Sequence, residues 1–350
     1  MAFFGNARFG SARRNRAVVA AALAAVLVAT SACTSGSGGA DEVTLLTHDS
    51  FELPQNLIDR FEKQTGTELK IVRSGDAGQL SSVVSLTPGS PKGDAVFGID
   101  NTFAARPIEA KALDPYTSPA AVDGSAKYDI QGAPGQLTAV DRGDVCLNVD
   151  DAWFDKHGIE APTSLEQLTQ PRYRDMAALL DPSTSSPGMG FLLTTIGRFK
   201  GGVDDYWRGL VDNGAQIVSG WEVAYNQLFS AGAGHGDKPI VVSYASSPAA
   251  TPGTSALLNA CFAQVEYIGV LRGAANTAGA RKLVDFMLTP EVQAALPTAM
   301  YVYPVQKDIP LPADWRQRAP MPAWTVTMSP EYIDAHREQW LNEWRATVKR

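Results

Sequence analysis

From Val43 to Asp100 the chain alternates short apolar runs with amphipathic ones, and this alternation restricts the fold more than any other feature. "EVTLLTH" is rich in β-formers. In "LPQNLIDRFEKQTG" the residues Leu57, Ile58 and Phe61 share one helical face, and Gly66 supplies a stop. "ELKIVRS" reads as a second strand, "AGQLSSVVSLT" as a second helix and "DAVFGID" as a short buried strand. A β-α-β-α-β order predicts a doubly wound parallel sheet. Later helix starts are marked by Ser118-Pro119, Thr289-Pro290-Glu291 and Ser329-Pro330-Glu331, each a capping hydroxyl followed by Pro.

In open α/β sheets ligands meet the carboxyl ends of the strands. After the first strand stands "THDSF", with His48, Asp49 and Ser50; after the third stands "GIDNT", with Asp100 and Asn101. A lone Asp at such a place usually shapes a turn, but two at equivalent strand ends point to a site. "LLDPSTSSPGMGFLL" puts four hydroxyls, Ser183, Thr184, Ser185 and Ser186, before an apolar helical run. A plain cap needs one hydroxyl; four at a helix start make an anion cradle. Trp221 and Tyr225 are four apart in a helical stretch, and Tyr244 ends a strand-like run. In "LPTAMYVYPV", Tyr303 is expected to pack and Tyr301 to face a cleft. His48, His157, His235 and His336 have no metal-ligand spacing, and no G-x-S-x-G elbow occurs. The pattern therefore suggests a ligand receptor without metal, cofactor or catalytic residues.

The first 32 residues have the layout of an export signal. Arg8, Arg13, Arg14 and Arg16 form a positive start without an acid, and Ala17 to Thr30 is apolar but short for a bilayer span. Ser31-Ala32 precedes Cys33, and Thr34 to Ala40 reads as a flexible tether. The arrangement resembles a bacterial lipobox, with Thr30 where Leu is usual. The expectation is lipidation of Cys33 and an anchor at the outer face of the cell membrane, with an ordinary cleaved signal as the alternative.

The remaining residues, about 318, exceed what one core usually holds, which predicts two lobes. Thirty basic residues less those four Arg leave 26 against 37 acidic ones, a formal charge of −11. This acidity argues against nucleic acid and against wide contact with anionic lipid. Cys146 and Cys261 lie in strand-like runs of an exported chain, either as a disulfide or as two buried thiols.

Together, "THDSF", "FGIDNT", "DPSTSSPGMGFLL", "SGWEVAYNQLF", "VVSYASSPA", "QVEY", "DFMLTPEVQAALPT", "YVYPV" and "HREQWLNEWR" resemble, in this order, the thiamine-binding substrate-binding proteins of bacterial ABC importers. The resemblance spans roughly Val43 to Arg350. It implies a two-lobed periplasmic-binding-protein clam-shell of α/β class with crossing hinge strands. The implied division is a signal over 1–32, a tether over 33–41, one lobe from 42–143 and 265–310, a second from 144–264, and a C-terminal helical segment over 311–350. "CLNVD" and "FAQVEY" would be the crossing strands, which puts Cys146 beside Cys261. The implied ligand is thiamine or a thiamine phosphate, with ABC permease and ATPase subunits as partners and a monomeric receptor. Tyr244, Trp221 and Tyr301 would supply ring faces, Asp49 and Asp100 acceptors for the cation, and Ser185 and Ser186 the anion end. His48 stands where the family usually has Tyr, Tyr301 where it has Trp, and Phe51 to Gln55 hold no Trp where one is common. A thiamine precursor, polyamine, sugar or ferric ion is the alternative ligand, and a lipoprotein enzyme the alternative class; for iron, Tyr244 is followed by Ala245 rather than a second Tyr.

Overall fold

The computed structural model describes residues 41–349. The signal-like segment and Cys33 lie outside them. The first part of the chain forms as its periodicity predicts. β1 (Asp41–Thr47), β2 (Thr67–Arg73) and β3 (Ala95–Asp100) are parallel and lie in the order β2-β1-β3. The helix Gln55–Thr65 buries Leu57 and Phe61 and stops at Gly66, whose φ of 70° turns its N–H onto the carbonyl of Glu62. β3 is buried at every residue, as a parallel strand covered on both faces must be. One face of this sheet packs Val43, Leu45 and Phe97 against Phe61 and Phe286; the other packs Leu46, Val96 and Ile99 against Leu80 and Phe103.

β4 (Leu113–Asp114) is a short edge piece on a later strand. β5 (Thr138–Asp150) is long, and after it the chain repeats the opening order. β6 (Ala177–Leu180), β7 (Gln216–Val218) and β8 (Ile240–Tyr244) are parallel, with β6 between the other two. β9 (Thr254–Ala256) adds to β5; β10 (Phe262–Leu271) follows, and β11 (Tyr303–Pro304) also pairs with β5. The path β2-β1-β3-β10-β5-β8-β6-β7 makes one curled sheet. β10 pairs with β3 through Glu266–Val270 and with β5 through Phe262–Ile268, while β5 reaches β8 through Val145–Val149. β5 and β10 are thus shared by the two halves, as expected of crossing strands. Cys146 and Cys261 are disulfide-bonded beside this pairing, with Cα atoms 4.5 Å apart.

Each half places its first strand between the next two, so each has a switch in strand order beside that first strand. The carboxyl ends of β1 and β3, and of β6 and β8, open there. The expected caps form at Ser118 and Ser329. Thr289 differs: its hydroxyl donates to the carbonyl of Phe286 at 2.7 Å and makes no cap bond. The C-terminal helix Pro330–Val348 touches both halves. Trp344 meets Trp207 edge-on at 5.8 Å, and Arg337 lies 4.3 Å over the Phe103 ring.

Candidate functional site

The two switch points face one cavity of about 750 Å³. One half contributes His48 and Ser50 after β1, Asp76 after β2, and Glu266 on β10. The other contributes Ser186 after β6, Trp221 after β7 and Tyr244 at the end of β8. Tyr301 closes one side and Tyr225 another.

The aromatic wall is fixed by hydrogen bonds at its edges. Trp221 and Tyr225 stack with centroids 4.7 Å apart and planes 12° from parallel. Their segment, Glu222–Leu228, is a π-helix rather than the expected α-helix, and its wider turn lays residues four apart over each other. Trp221 Nε1 donates to Ser243 Oγ at 2.9 Å, and Tyr225 Oη sits 2.8 Å from Thr251 Oγ1. Tyr244 lies over Gly143, where a Cβ would come within 2.9 Å of its ring. Tyr301 is 39% exposed and has a φ of 56°, a left-handed conformation unusual for an aromatic residue.

The polar floor is acidic. Asp100, Glu266 and Asp141 are direct register partners across β3, β10 and β5, so their side chains share one face. All three are buried. Asp100 accepts from the hydroxyls of Ser186 and Thr102, yet burial pushes its pKa up to about 6. Burial, then Asp141 and Asp100, hold Glu266 well above the ordinary carboxylate range. Asp141, raised by burial, lies within hydrogen-bonding reach of Glu266, and neither of its oxygens meets an N–H or hydroxyl donor among the described residues. Asp76 is also raised by burial, against the backbone N–H groups of Trp221 at 3.0 Å and Ala77 at 2.7 Å.

His48 Nε2 lies 3.5 Å from Glu266 Oε1. Burial, then Arg73, lower the imidazole pKa to about 4, so the ring is neutral near pH 7 and the contact is not an ion pair. Gly98, at φ 94°, leaves room for this ring: a Cβ there would sit 2.0 Å from His48 Cδ2.

Of the residues singled out in the sequence, His48, Ser50, Ser186, Trp221, Tyr225, Tyr244 and Tyr301 line the cavity. Five do not. Asp49 is exposed and accepts from the N–H of Gly75. Asp100 lies behind Ser186. Asn101 ties β3 to β10 through the carbonyl of Ala263 and the N–H of Val265. Thr184 donates to the carbonyl of Ser219 at 2.6 Å. Ser185 is fully buried as the cap of helix Ser186–Phe199. The hydroxyl of Ser186, the first residue of that helix, donates to the protein's own carboxylate, Asp100.

Residues 91–327 match the bacterial extracellular solute-binding protein family. The chain belongs to that family. Curated relatives are the thiamine-binding periplasmic proteins of Salmonella typhimurium and Escherichia coli, each 28% identical over 335 residues, or 91% of this chain and 97% of theirs. The counterpart of Brucella melitensis is 27% identical over 328 residues, or 89% and 93%. A solved periplasmic thiamin binding protein superposes with a TM-score of 0.79 at 25% identity, over 90% of this chain and 98% of that one. A periplasmic binding protein of Actinobacillus pleuropneumoniae with fructose-6-phosphate bound reaches 0.75 at 18% identity, over 89% and 99%. The fold is that of a two-lobed solute-binding receptor, and the family and these relatives are solute-binding proteins rather than enzymes.

For this solute-binding protein the strand-end rule extends further than the residues first chosen. Asp76 follows β2 as His48 follows β1, and its position between "ELKIVRS" and the next helix is visible in the sequence. Glu266 carried a signal too, a carboxylate in the middle of the apolar strand "FAQVEYIGVL". Glu52, Glu222, Asn226 and Met300 also line the cavity, and no local pattern marks them.

Proposed function

We propose that this receptor binds thiamine between its lobes and delivers it to an ABC permease and its ATPase subunits. The observation that carries the reading is the lining of the cavity. Four aromatic residues, Trp221, Tyr225, Tyr244 and Tyr301, meet four acids, Glu52, Asp76, Glu222 and Glu266, and none of the described lining residues is Lys or Arg. Thiamine is a flat aminopyrimidine joined to a thiazolium cation, and such a molecule needs stacking faces and carboxylates. The volume falls within the range of about 300–1,000 Å³ usual for small-molecule sites. The thiamine-binding names of the curated relatives agree with this chemistry.

In this reading Trp221, Tyr225, Tyr244 and Tyr301 stack on the ligand, His48 and Ser50 border it, and Ser186 stands at the hydroxyethyl end. The lobes are 42–143 with 265–310, and 144–264, hinged on β5 and β10. Cys33 carries the lipid that holds a monomeric receptor at the outer face of the membrane. Titration calorimetry with thiamine, its diphosphate, fructose-6-phosphate and ferric citrate tests the ligand. Tight binding of thiamine, weaker binding of its diphosphate and no heat with fructose-6-phosphate or ferric citrate is the expected result; tight binding of sugar phosphate or iron with none of thiamine overturns the assignment. Intact mass of the membrane-fraction protein tests the anchor, and an unmodified Cys33 refutes it.

A further inference from the structure

Glu266 occupies an unfavourable place for a carboxylate. On one side its register partner is Asp100, on the other Asp141. Like charges directly opposite on neighbouring strands repel, and each of these groups has lost its water. Of the other groups that face the row, Arg337 brings a positive charge to Asp100, and none of the described residues brings one to the Glu266–Asp141 pair. Asp76 reaches it from the start of helix Ala77–Ser85, and Tyr244 from β8 adds a phenol that burial and Glu266 keep protonated. His48, after β1, is neutral. Arg73 acts on His48, but its guanidinium is held by the carbonyl of Phe51 and by Glu52. Arg337, on the C-terminal helix, acts on Asp100 from over the Phe103 ring. Arg142 is paired with Asp144 at 2.9 Å. Asp141, unexposed and without an N–H or hydroxyl donor among the described residues, has only Glu266 as a polar neighbour in its row, within reach of a shared proton.

The Glu266–Asp141 pair is neutralised either by a proton or by a cation arriving through the cavity that Glu266 lines. We propose that Glu266 is the residue that selects a cationic ligand, and that the ligand's positive charge displaces a proton which Glu266 and Asp141 share in the free receptor. The inference rests on the thiamine reading of the same cavity. The exchange balances: one positive charge enters, one proton leaves to solvent, and the cavity keeps its net charge. A neutral ligand of the same shape leaves the proton in place and loses this exchange.

The sign of the pH dependence follows. A bound cation favours the ionised pair and lowers its pKa, so binding releases a proton and tightens as pH rises, until the free pair is itself ionised. Below that range the ligand competes with a firmly held proton and binding weakens.

The test is calorimetric titration of the intact receptor with thiamine at neutral pH, in two buffers of different ionisation enthalpy. The dependence of heat on buffer gives the protons exchanged. Wild type should release close to one proton per thiamine. Glu266→Gln should release almost none and bind about ten- to hundred-fold more weakly, as expected for loss of a charged partner. Asp141→Asn removes the charge opposite Glu266, so Glu266 ionises more readily and the release should fall even where binding persists. The neutral thiophene analogue of thiamine should bind wild type without proton release. Wild type that binds thiamine with no buffer dependence overturns the proposal and leaves the thiamine reading standing. Wild type that binds no thiamine at all overturns both, and the wild-type measurement does not depend on any variant folding.

Discussion

Reduction of the Cys146–Cys261 bond separates one contribution to stability from all others. Both half-cystines are fully buried, in a small cluster with Ala245, Ala256 and Leu258. The bond closes a loop of 115 residues, which runs out through the whole of the second half and returns. For a loop of that length the chain-entropy model gives about 5 kcal/mol of stabilisation at 25 °C, through restriction of the unfolded chain. Two thiols fill almost the space of the disulfide, so reduction leaves the packing nearly intact, whereas Cys146→Ala with Cys261→Ala adds a cavity term. Domains of ordinary stability hold about 5–15 kcal/mol in total, so the reduced receptor should be marginal. Guanidinium denaturation followed by tryptophan fluorescence, to which the buried Trp207, Trp315 and Trp344 contribute, provides the assay. The expected loss on reduction is about 3–5 kcal/mol. A loss below about 1 kcal/mol would refute the reasoning, because the unfolded chain would then be keeping the two strands together without the bond. Neither cysteine lines the ligand cavity, so thiamine affinity should change little wherever the reduced protein remains folded.

Three further outcomes follow from the site. Gly98→Ala places a methyl against the His48 ring at a φ of 94°, and should lower stability by about 1–3 kcal/mol in a thermal or chemical melt. His48, with a pKa lowered from 6.5 to about 4, binds its proton more readily unfolded than folded; stability should therefore fall as pH drops from 6.5 toward 4, by roughly 3 kcal/mol at most, and His48→Gln should flatten that part of the pH–stability curve. Because the cavity is lined by acids and the helix start at Ser186 already faces Asp100, free thiamine should bind more tightly than thiamine diphosphate in calorimetry. The reverse order would restore the anion-cradle reading of Ser183 to Ser186.

What was legible in the sequence and what was not divides along the range of the interactions involved. The β1–β3 segment could be read because its signals are local: Leu57 and Phe61 lie one helical turn apart, and Gly66 stops the helix that carries them. The same holds for the cavity's aromatic residues, which stand at strand ends or in one short segment. The hydroxyls of "STSSPGMG" were correctly placed at a helix start, but their partner was not a neighbour in sequence. Asp100 comes from 86 residues away, and no reading of the loop alone reveals that a protein carboxylate takes the Ser186 hydroxyl. Asp141 and Glu266 are separated by a still longer stretch, and only strand register makes them partners.

That register also bears on why the residues are there. A row of three buried carboxyls weakens a sheet, since burial and mutual repulsion both oppose the charged forms. Apolar residues of similar size would pack on β3, β10 and β5 without that penalty. The neighbouring positions show as much: Ala95, Val96 and Phe97 on β3 and Ile268 and Val270 on β10 are buried and apolar. The acids are confined to the carboxyl end of β3 and to the stretches of the two shared strands beside it, where the cavity opens. They stand beside the cavity, where an arriving cation can offset their cost, which is the pattern expected when a local conflict in a fold serves its ligand.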